Sequence, residues 1–380
     1  MRIAFYAPLK PPHHAVPSGD RQIARLYIAA LERAGHRVEI VSEFRSHTKE
    51  PAGQVALAAQ GEAEAARVLQ QLHARPARER PALWFTYHCY YKAPDWLGPV
   101  VSRALDIPYV IAEASHAPKR AKGPWAVGHE AAATAISAAD AILAPTQLDM
   151  ACVLPLQASP ERVVQVPPFL DATPFLAAGA QRGSHRARQA VAHGLDPARP
   201  WLLVMAMMRN GAKLDSYRLL AQTLAQLPRP DWQLLVVGDG PERTTVEAVL
   251  APFAERLRYA GAVAPDETAA FYAACDIYVW PAIHEAYGMA FLEAQACGLP
   301  VVAGRVRGVP DVVAENRSGL LAPEGDATAL AALIARLLDD PALRARLAAG
   351  ARALGMERDL PRAAATIDAI LQAAVARHAA

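Results

Sequence analysis

Cysteine is scarce. Cys89, Cys152, Cys275 and Cys297 are spread over 380 positions with no C-x-x-C pair. That excludes a disulfide framework and the ligand spacing of a structural zinc site. The four read as reduced, small core hydrophobes in a reducing compartment. Long apolar runs are missing as well, since no stretch reaches the roughly 18 uncharged residues a membrane span needs. The opening Met1-Arg2-Ile3-Ala4-Phe5-Tyr6-Ala7-Pro8-Leu9-Lys10 is too short in its apolar part for a signal peptide and reads as a buried first strand. The expected location is cytoplasmic, with peripheral contact at the inner face of a membrane as the one membrane role left open. Neither charge sign dominates. Lys plus Arg number 39 against 37 for Asp plus Glu, a formal net charge of +2, which argues against nucleic acid as a partner and against an acidic tail. No G-x-G-x-x-G follows the first strand, which disfavours a nicotinamide oxidoreductase. No Asp-x-Asp stands at a strand end, and no metal or other cofactor is implied.

What remains is a chain with ample material for a core. Hydrophobic residues make up 53% and charged residues 20%, which excludes disorder, and the length suggests roughly two domains. Short apolar strands alternate with helices almost throughout. In the first half, strands are expected at Ile3–Tyr6, Arg37–Val41, Leu83–Tyr87, Pro108–Ala112, Ala141–Ala144 and Val163–Val166. Helices are expected with Ile23, Tyr27, Ala30 and Leu31 on one face, over 55–74, over Pro94–Leu105 and over Ala131–Ala138. Gly35 stops the first helix. This alternation predicts a parallel sheet covered on both faces, a Rossmann-like domain over 1–166.

Residues 167–199 break the pattern. Arg182, Arg186 and Arg188 cluster with Gly183, Ser184 and His185 between prolines, and the segment reads as a linker with solvated charges. Alternation resumes over 200–360. Strands are expected at Trp201–Met207, Trp232–Val237, Leu257–Tyr259, Ile277–Trp280 and Pro300–Ala303. Helices are expected at Leu219–Leu227, Thr244–Phe253, Glu267–Ala274 and Met289–Ala296. A last helix, Ala363–Ala376, follows Pro361. The fold class is therefore α/β, with two doubly wound domains facing a cleft and ligands expected outside the carboxyl ends of the strands.

The densest chemistry lies between His284 and Pro300. Glu285 ends a strand-to-helix loop, Gly288 opens a helix and Glu293 sits within it. Free N–H groups at a helix start suit a phosphate, and the two carboxylates can accept from hydroxyls, a combination that fits a sugar nucleotide. Arg209 and Lys213 follow the first strand of the second half, in a loop with Asn210 and Gly211, and guanidinium beside ammonium is good phosphate chemistry.

These residues resemble the donor half of glycosyltransferase family 4, retaining enzymes of GT-B fold. The resemblance rests on Arg209 with Lys213, the turn Val237-Gly238-Asp239-Gly240-Pro241-Glu242-Arg243, Gly261-Ala262-Val263 and Asp276 through Pro281. Glu285 and Glu293, Gly308-Val309-Pro310-Asp311 and Gly319-Leu320-Leu321 complete it. It implies that Arg209 and Lys213 hold the diphosphate, Glu285 the donor sugar and Glu293 the ribose. The backbone at Tyr287, Gly288, Met289 and Ala290 would approach sugar and phosphate, Val263 would meet the base, and Gly238 joins the donor-binding set. In the first half Gly19, in Pro17-Ser18-Gly19-Asp20, and His116, in Glu113-Ala114-Ser115-His116-Ala117-Pro118-Lys119-Arg120, are the matching site residues. A Gly-Gly pair frequent in the family's first loop is here reduced to Gly19. His13, His14, Tyr90 and Tyr91 are further candidates for the cleft, and Lys119, Arg120 and Lys122 could attract an anionic acceptor. The segment 361–380 is expected to cross back to the first domain. The function implied is metal-independent transfer of a sugar from a nucleotide diphosphate sugar to a glycan, a lipid-linked acceptor or a small molecule. A sugar-nucleotide epimerase of the same fold and a non-catalytic sugar-nucleotide-binding protein are the alternatives.

Overall fold

The computed structural model describes residues 1–15 and 18–379; Pro17 of the first loop lies outside the described residues. In chain order the elements are β1 (Arg2–Tyr6), α1 (Gly19–Arg33), β2 (Arg37–Ser42), α2 (Gln54–His73), β3 (Leu83–Cys89), α3 (Gly98–Leu105), β4 (Tyr109–Ala114), α4 (Ala126–Ala138), β5 (Ala141–Ala144), α5 (Gln147–Val153) and β6 (Val163–Gln165). They continue as α6 (Thr173–Ala180), α7 (Arg182–His193), β7 (Trp201–Met205), α8 (Ala212–Ala225), β8 (Gln233–Val237), α9 (Arg243–Leu250), β9 (Leu257–Gly261), α10 (Thr268–Ala274) and β10 (Ile277–Trp280). The last are α11 (Met289–Ala296), β11 (Val301–Arg305), α12 (Val309–Val312), β12 (Gly319–Pro323), α13 (Ala327–Asp339), α14 (Pro341–Glu357) and α15 (Leu360–His378). The chain divides into two compact units, 1–167 with 360–380, and 168–359. Among the described residues no helix is long and apolar enough to cross a membrane.

Unit 1 holds a parallel sheet of order β2-β1-β3-β4-β5-β6. Its strands are short, apolar runs because both faces are covered by helices. Phe5, Trp84, Phe85, Val110 and Ile142 are fully buried. Tyr27, from the apolar face of α1, packs its ring in tilted contacts 5.7 Å from Phe85 and 5.6 Å from Tyr87. The third helix starts four residues later than its apolar pattern suggests. Asp95 is the reason: buried, it accepts from the N–H groups of Leu97 and Gly98 at 2.8 Å, from Thr86 Oγ1 and from the Tyr109 hydroxyl at 2.7 Å. A carboxylate so used spends its oxygens on the entry to α3, so residues 94–97 form its approach. Helix α4 is longer than expected at its start, because the polar stretch 126–130 carries the buried Gly128 and His129. α15 belongs to this unit and begins at Leu360, with Pro361 in its first turn, where a missing N–H costs nothing. It packs on α1, and Asp368 meets His36 Nε2 at 3.0 Å.

Unit 2 has sheet order β12-β11-β10-β7-β8-β9, all parallel. Read from the other edge, its first strand lies beside its fourth, so strand order reverses between β7 and β10. Residues 167–199, expected as a linker with solvated charges, instead carry α6 and α7 packed on α10, and their arginines are engaged. Asp276 accepts from Arg182 at 2.6 Å, from Arg186 at 3.0 Å and from the Trp201 N–H at 2.7 Å. The Arg186 guanidinium also lies 4.1 Å from the Trp201 ring centre. The basic run is thus a set of donors closing the amino ends of β7 and β10. Helix α8 begins at Ala212, seven residues before the apolar run that marked it, since Leu214, Ser216 and Tyr217 are buried too.

Candidate active site

In a doubly wound sheet the carboxyl ends of the two strands flanking the order reversal open a crevice. In unit 2 those strands are β7 and β10, and the loops that follow them carry the charged residues singled out by the sequence.

The loop after β7 reaches Arg209 and turns at Gly211, whose φ of 79° lies in the left-handed region. Arg209 is exposed. Lys213, in the first turn of α8, donates to Glu285 Oε2 at 2.5 Å and stands 5.4 Å from the centre of the Trp280 ring. Trp280 is held by an edge contact with Tyr217 at 5.1 Å.

The loop after β10 is strained. Ala282 and His284 have φ of 65° and 53°, and Gly288 has 79°. Two non-glycine left-handed residues cost of order 1–3 kcal/mol each. The Ile283 N–H donates to Ser216 Oγ at 3.0 Å, which ties this loop to α8, and the Gly308 N–H donates to Ala286 O at 2.8 Å. The turn is therefore pinned from both sides, and Glu285 is held over α8. Gly288 precedes α11, and a Cβ there would meet Phe291 at 2.7 Å and Glu285 Cγ at 3.3 Å. Only glycine keeps both the turn and the open start of the helix. The helix begins with Met289 and Ala290, half-buried, while Tyr287 is buried. Glu293, one turn in, accepts from the buried Tyr272 hydroxyl at 2.8 Å.

Gly238 has a different place. A Cβ on Gly238 would lie 2.0 Å from Ala206 O, and one on Gly240 would lie 2.2 Å from Met208 O. The Met208 N–H donates to Asp239 O at 2.9 Å and the Glu242 N–H to Met208 O at 3.0 Å. The Gly238–Arg243 turn thus braces the loop that carries Arg209, and its glycines are needed for backbone contact. Val263 follows β9 and is half-buried.

Gly19 and His116 belong to unit 1. Gly19 opens α1 behind Ser18, whose Oγ accepts from the Arg21 N–H at 3.3 Å, and nothing lies within 4 Å of where its Cβ would stand. His116 follows β4. Its ring lies 4.7 Å from that of His129, and burial, then the His129 charge, holds its pKa below the usual histidine value. Lys119 and Lys122 are exposed, while the Arg120 guanidinium sits 5.4 Å from the Tyr91 ring centre. Among the described residues no group of three or more His, Cys, Asp or Glu is placed to hold a metal ion.

Sequence reasoning passed over three side chains that the structure makes prominent. Ser216 and Tyr272 fix the loop and the second glutamate, and neither motif nor charge marks them. His88, at the carboxyl end of β3, faces Glu113 and Asp20; its place just after an apolar strand was the available signal.

The sequence profile of glycosyl transferases group 1 matches residues 199–340, the segment that holds the unit 2 site. D-inositol 3-phosphate glycosyltransferase of Acidothermus cellulolyticus is 30% identical over 307 residues, 75% of this chain and 66% of that protein. 2-Deoxystreptamine glucosyltransferase of Streptomyces kanamyceticus is 36% identical over 152 residues, 39% of each chain. The aligned stretches thus span just under two thirds of the first relative and well under half of the second. The solved structure of Anabaena HepE in complex with UDP superimposes with a TM-score of 0.75 at 19% identity, covering 98% of this chain and 100% of that one. The chain belongs to the glycosyl transferases group 1 family, glycosyltransferase family 4, and has the GT-B fold.

Proposed function

We propose that the protein transfers a sugar from a nucleotide diphosphate sugar to a hydroxyl acceptor, with retention of configuration and without a metal ion. The observation that carries this reading is the pairing, at the β7/β10 order reversal, of two cations with a pinned glutamate and an open helix start. Arg209 and Lys213 would offset the charge of the leaving diphosphate, the electrostatic stabilisation on which such transfers depend. Glu285 would accept from hydroxyls of the donor sugar. In the free chain Lys213 and Glu285 hold each other; donor binding gives each a new partner, phosphate for one and sugar hydroxyls for the other. The N–H groups from Tyr287 to Ala290 would meet sugar and phosphate at the dipole-positive end of α11. Glu293 would take the ribose and Val263 the base. With retention, an oxygen of the departing phosphate takes the acceptor proton on the face of attack, so no second enzyme carboxylate is needed as base. Gly19 and His116 are the residues of unit 1 assigned to the reacting sugar.

Two relatives support a ring polyol as acceptor, one named for D-inositol 3-phosphate and the other for 2-deoxystreptamine. The HepE complex supports a uridine nucleotide. The test is a thermal-shift screen with UDP, GDP and their glucose and mannose conjugates. Binding to the native state alone raises the melting temperature. Donors that shift it are then assayed for release of nucleoside diphosphate, with and without chelator. No shift with any of them refutes the donor reading, and activity abolished by chelator refutes the metal-free one.

A further inference from the structure

Unit 2 holds a cavity that shares no residue with the β7/β10 site. It lies among α6, α7 and α10 and has a volume of about 540 Å³, within the range of about 300–1,000 Å³ typical of small-molecule sites. The helical period builds one wall. His185, Arg188, Gln189, Ala192 and His193 stand at i, i+3, i+4, i+7 and i+8 of α7, a single face, and all five border the cavity. The other walls are Ala177 and Ala178 of α6 and Ala269, Ala270 and Phe271 of α10. The alanines are what leave the space open. The next residue of α10, Tyr272, donates to Glu293, so the helix gives one side chain to the cavity and its neighbour to the donor site.

Gln189 marks the cavity as a binding site. It is 6% exposed and borders the cavity, and among the described residues its amide has no hydrogen-bond partner. A buried amide left unpaired costs stability, so the fold gains nothing from it. An amide carries a donor beside an acceptor, and an occupant that pairs it must offer the complement. The His193 ring lies 5.8 Å from that of Phe271, at an angle of 50°, an aromatic flank beside the alanines. His185 Nδ1 lies 3.0 Å from Arg188 Nη2. A guanidinium only donates, so Nδ1 accepts and the ring carries its N–H at Nε2. Burial holds both histidines below the usual histidine pKa, and the Arg188 charge adds to this at His185; both rings are neutral at neutral pH. Arg188 comes from α7, and Asp266 and Glu267 from the approach to α10; all three are exposed at the mouth. With both signs at the mouth, net charge is not what the cavity selects. Its interior suits a flat, neutral ring with a donor beside an acceptor on one edge. A nucleobase has that form, and a glutamine amide pairs with such an edge through two hydrogen bonds, as it does with adenine.

We propose that this cavity binds a nucleobase, free or carried on a nucleoside, with Gln189 pairing its edge, the His193 and Phe271 rings flanking it, and Asp266 or Glu267 accepting from the ribose. The proposal does not rest on the transferase reading. The test is a saturation-transfer NMR titration of the full chain with adenosine, inosine and uridine, and with benzyl alcohol as a ring that lacks the paired edge. At least one nucleoside is expected to bind with a millimolar or lower Kd, and benzyl alcohol more weakly. Gln189→Met keeps the length of the side chain and removes the amide. It is expected to weaken that nucleoside about tenfold or more and to leave the melting temperature equal or higher. Ala177→Trp, at an exposed position of α6, fills the cavity and should abolish binding. Glu293→Gln controls for a nucleoside held through its ribose in the donor crevice, and should leave the Kd unchanged. The proposal is overturned if no nucleoside binds, if benzyl alcohol binds as tightly, if both folded variants bind as the parent does, or if Glu293→Gln costs as much as Gln189→Met. A lower melting temperature in Gln189→Met would assign the amide to the fold and overturn it as well.

Discussion

Among single residues, the ones that position charge matter as much as those that carry it. Glu293 is held by the Tyr272 hydroxyl at 2.8 Å, and Tyr272 is fully buried. Phe in its place keeps the ring packing and removes one donor to a carboxylate, a hydrogen bond to a charged group worth about 1.5–3 kcal/mol. Tyr272→Phe is therefore expected to raise the donor KM roughly 10- to 150-fold with little change in kcat, and an unchanged KM would show that Glu293 needs no such support. Arg209 differs, since it is exposed. Arg209→Ala should leave the melting temperature within about a degree while lowering kcat/KM roughly 10- to 100-fold, the scale of a lost charge-assisted phosphate contact. A stable variant with full activity would remove Arg209 from the site. The charged members of this set were legible in the sequence because charge beside a strand end is a visible signal. Tyr272 and Ser216 were not, because a buried hydroxyl looks like any core position until its partner is seen.

Elements were legible wherever an apolar run supplied the period, as in eleven of the twelve strands of the two sheets, apart from ends set by turns; β12, which opens on Gly319 and is only five residues long, reads as a motif and not as a strand. Boundaries slipped where a polar group replaced that signal: Asp95 delays α3, and the early turns of α8 are polar in sequence yet half-buried. The arginines of α7 are the larger lesson. Their charges read as solvated, whereas Asp276 collects Arg182, Arg186 and the Trp201 N–H, a tertiary pairing that spacing along the chain does not encode. The Gly238–Arg243 turn was read as part of the donor set, and its glycines prove to be backbone contacts with the Arg209 loop. This makes a prediction about the element as a whole. Gly240→Ala forces a Cβ to within 2.2 Å of Met208 O, so the loop must move. Donor affinity should fall at least tenfold, although residue 240 itself carries no side chain toward the ligand. Retained affinity, measured by titration calorimetry with UDP, would mean that the loop does not depend on this brace.

At the scale of the whole molecule, proton binding gives both units the same response to acid. His36, His47, His88 and His116 in unit 1, and His185 and His193 in unit 2, all have pKa values below the ordinary 6.5, each chiefly through burial. In the unfolded chain these rings regain the ordinary value, so near and below pH 6.5 the unfolded state binds more protons than the folded one. Stability then rises with pH in this window. It is fully present above about pH 6.5 and is lost as the pH falls toward the lowered folded values. Glu39, Glu64 and Asp231, held low mainly by hydrogen bonds from arginine, add a further loss only in the carboxylate range. Asp95, raised by burial, acts in the opposite sense as a single group against six. The melting temperature is therefore expected to be level between pH 8 and 7 and to drop between pH 6.5 and 5, before the carboxylates titrate. Replacing His36 by Gln removes one of the six without removing the ring site's hydrogen-bonding capacity toward Asp368, so the slope of melting temperature against pH should become shallower in that interval. A melting temperature equal or higher at pH 5.5 than at 7.5 would show that the histidines are not the groups governing acid stability.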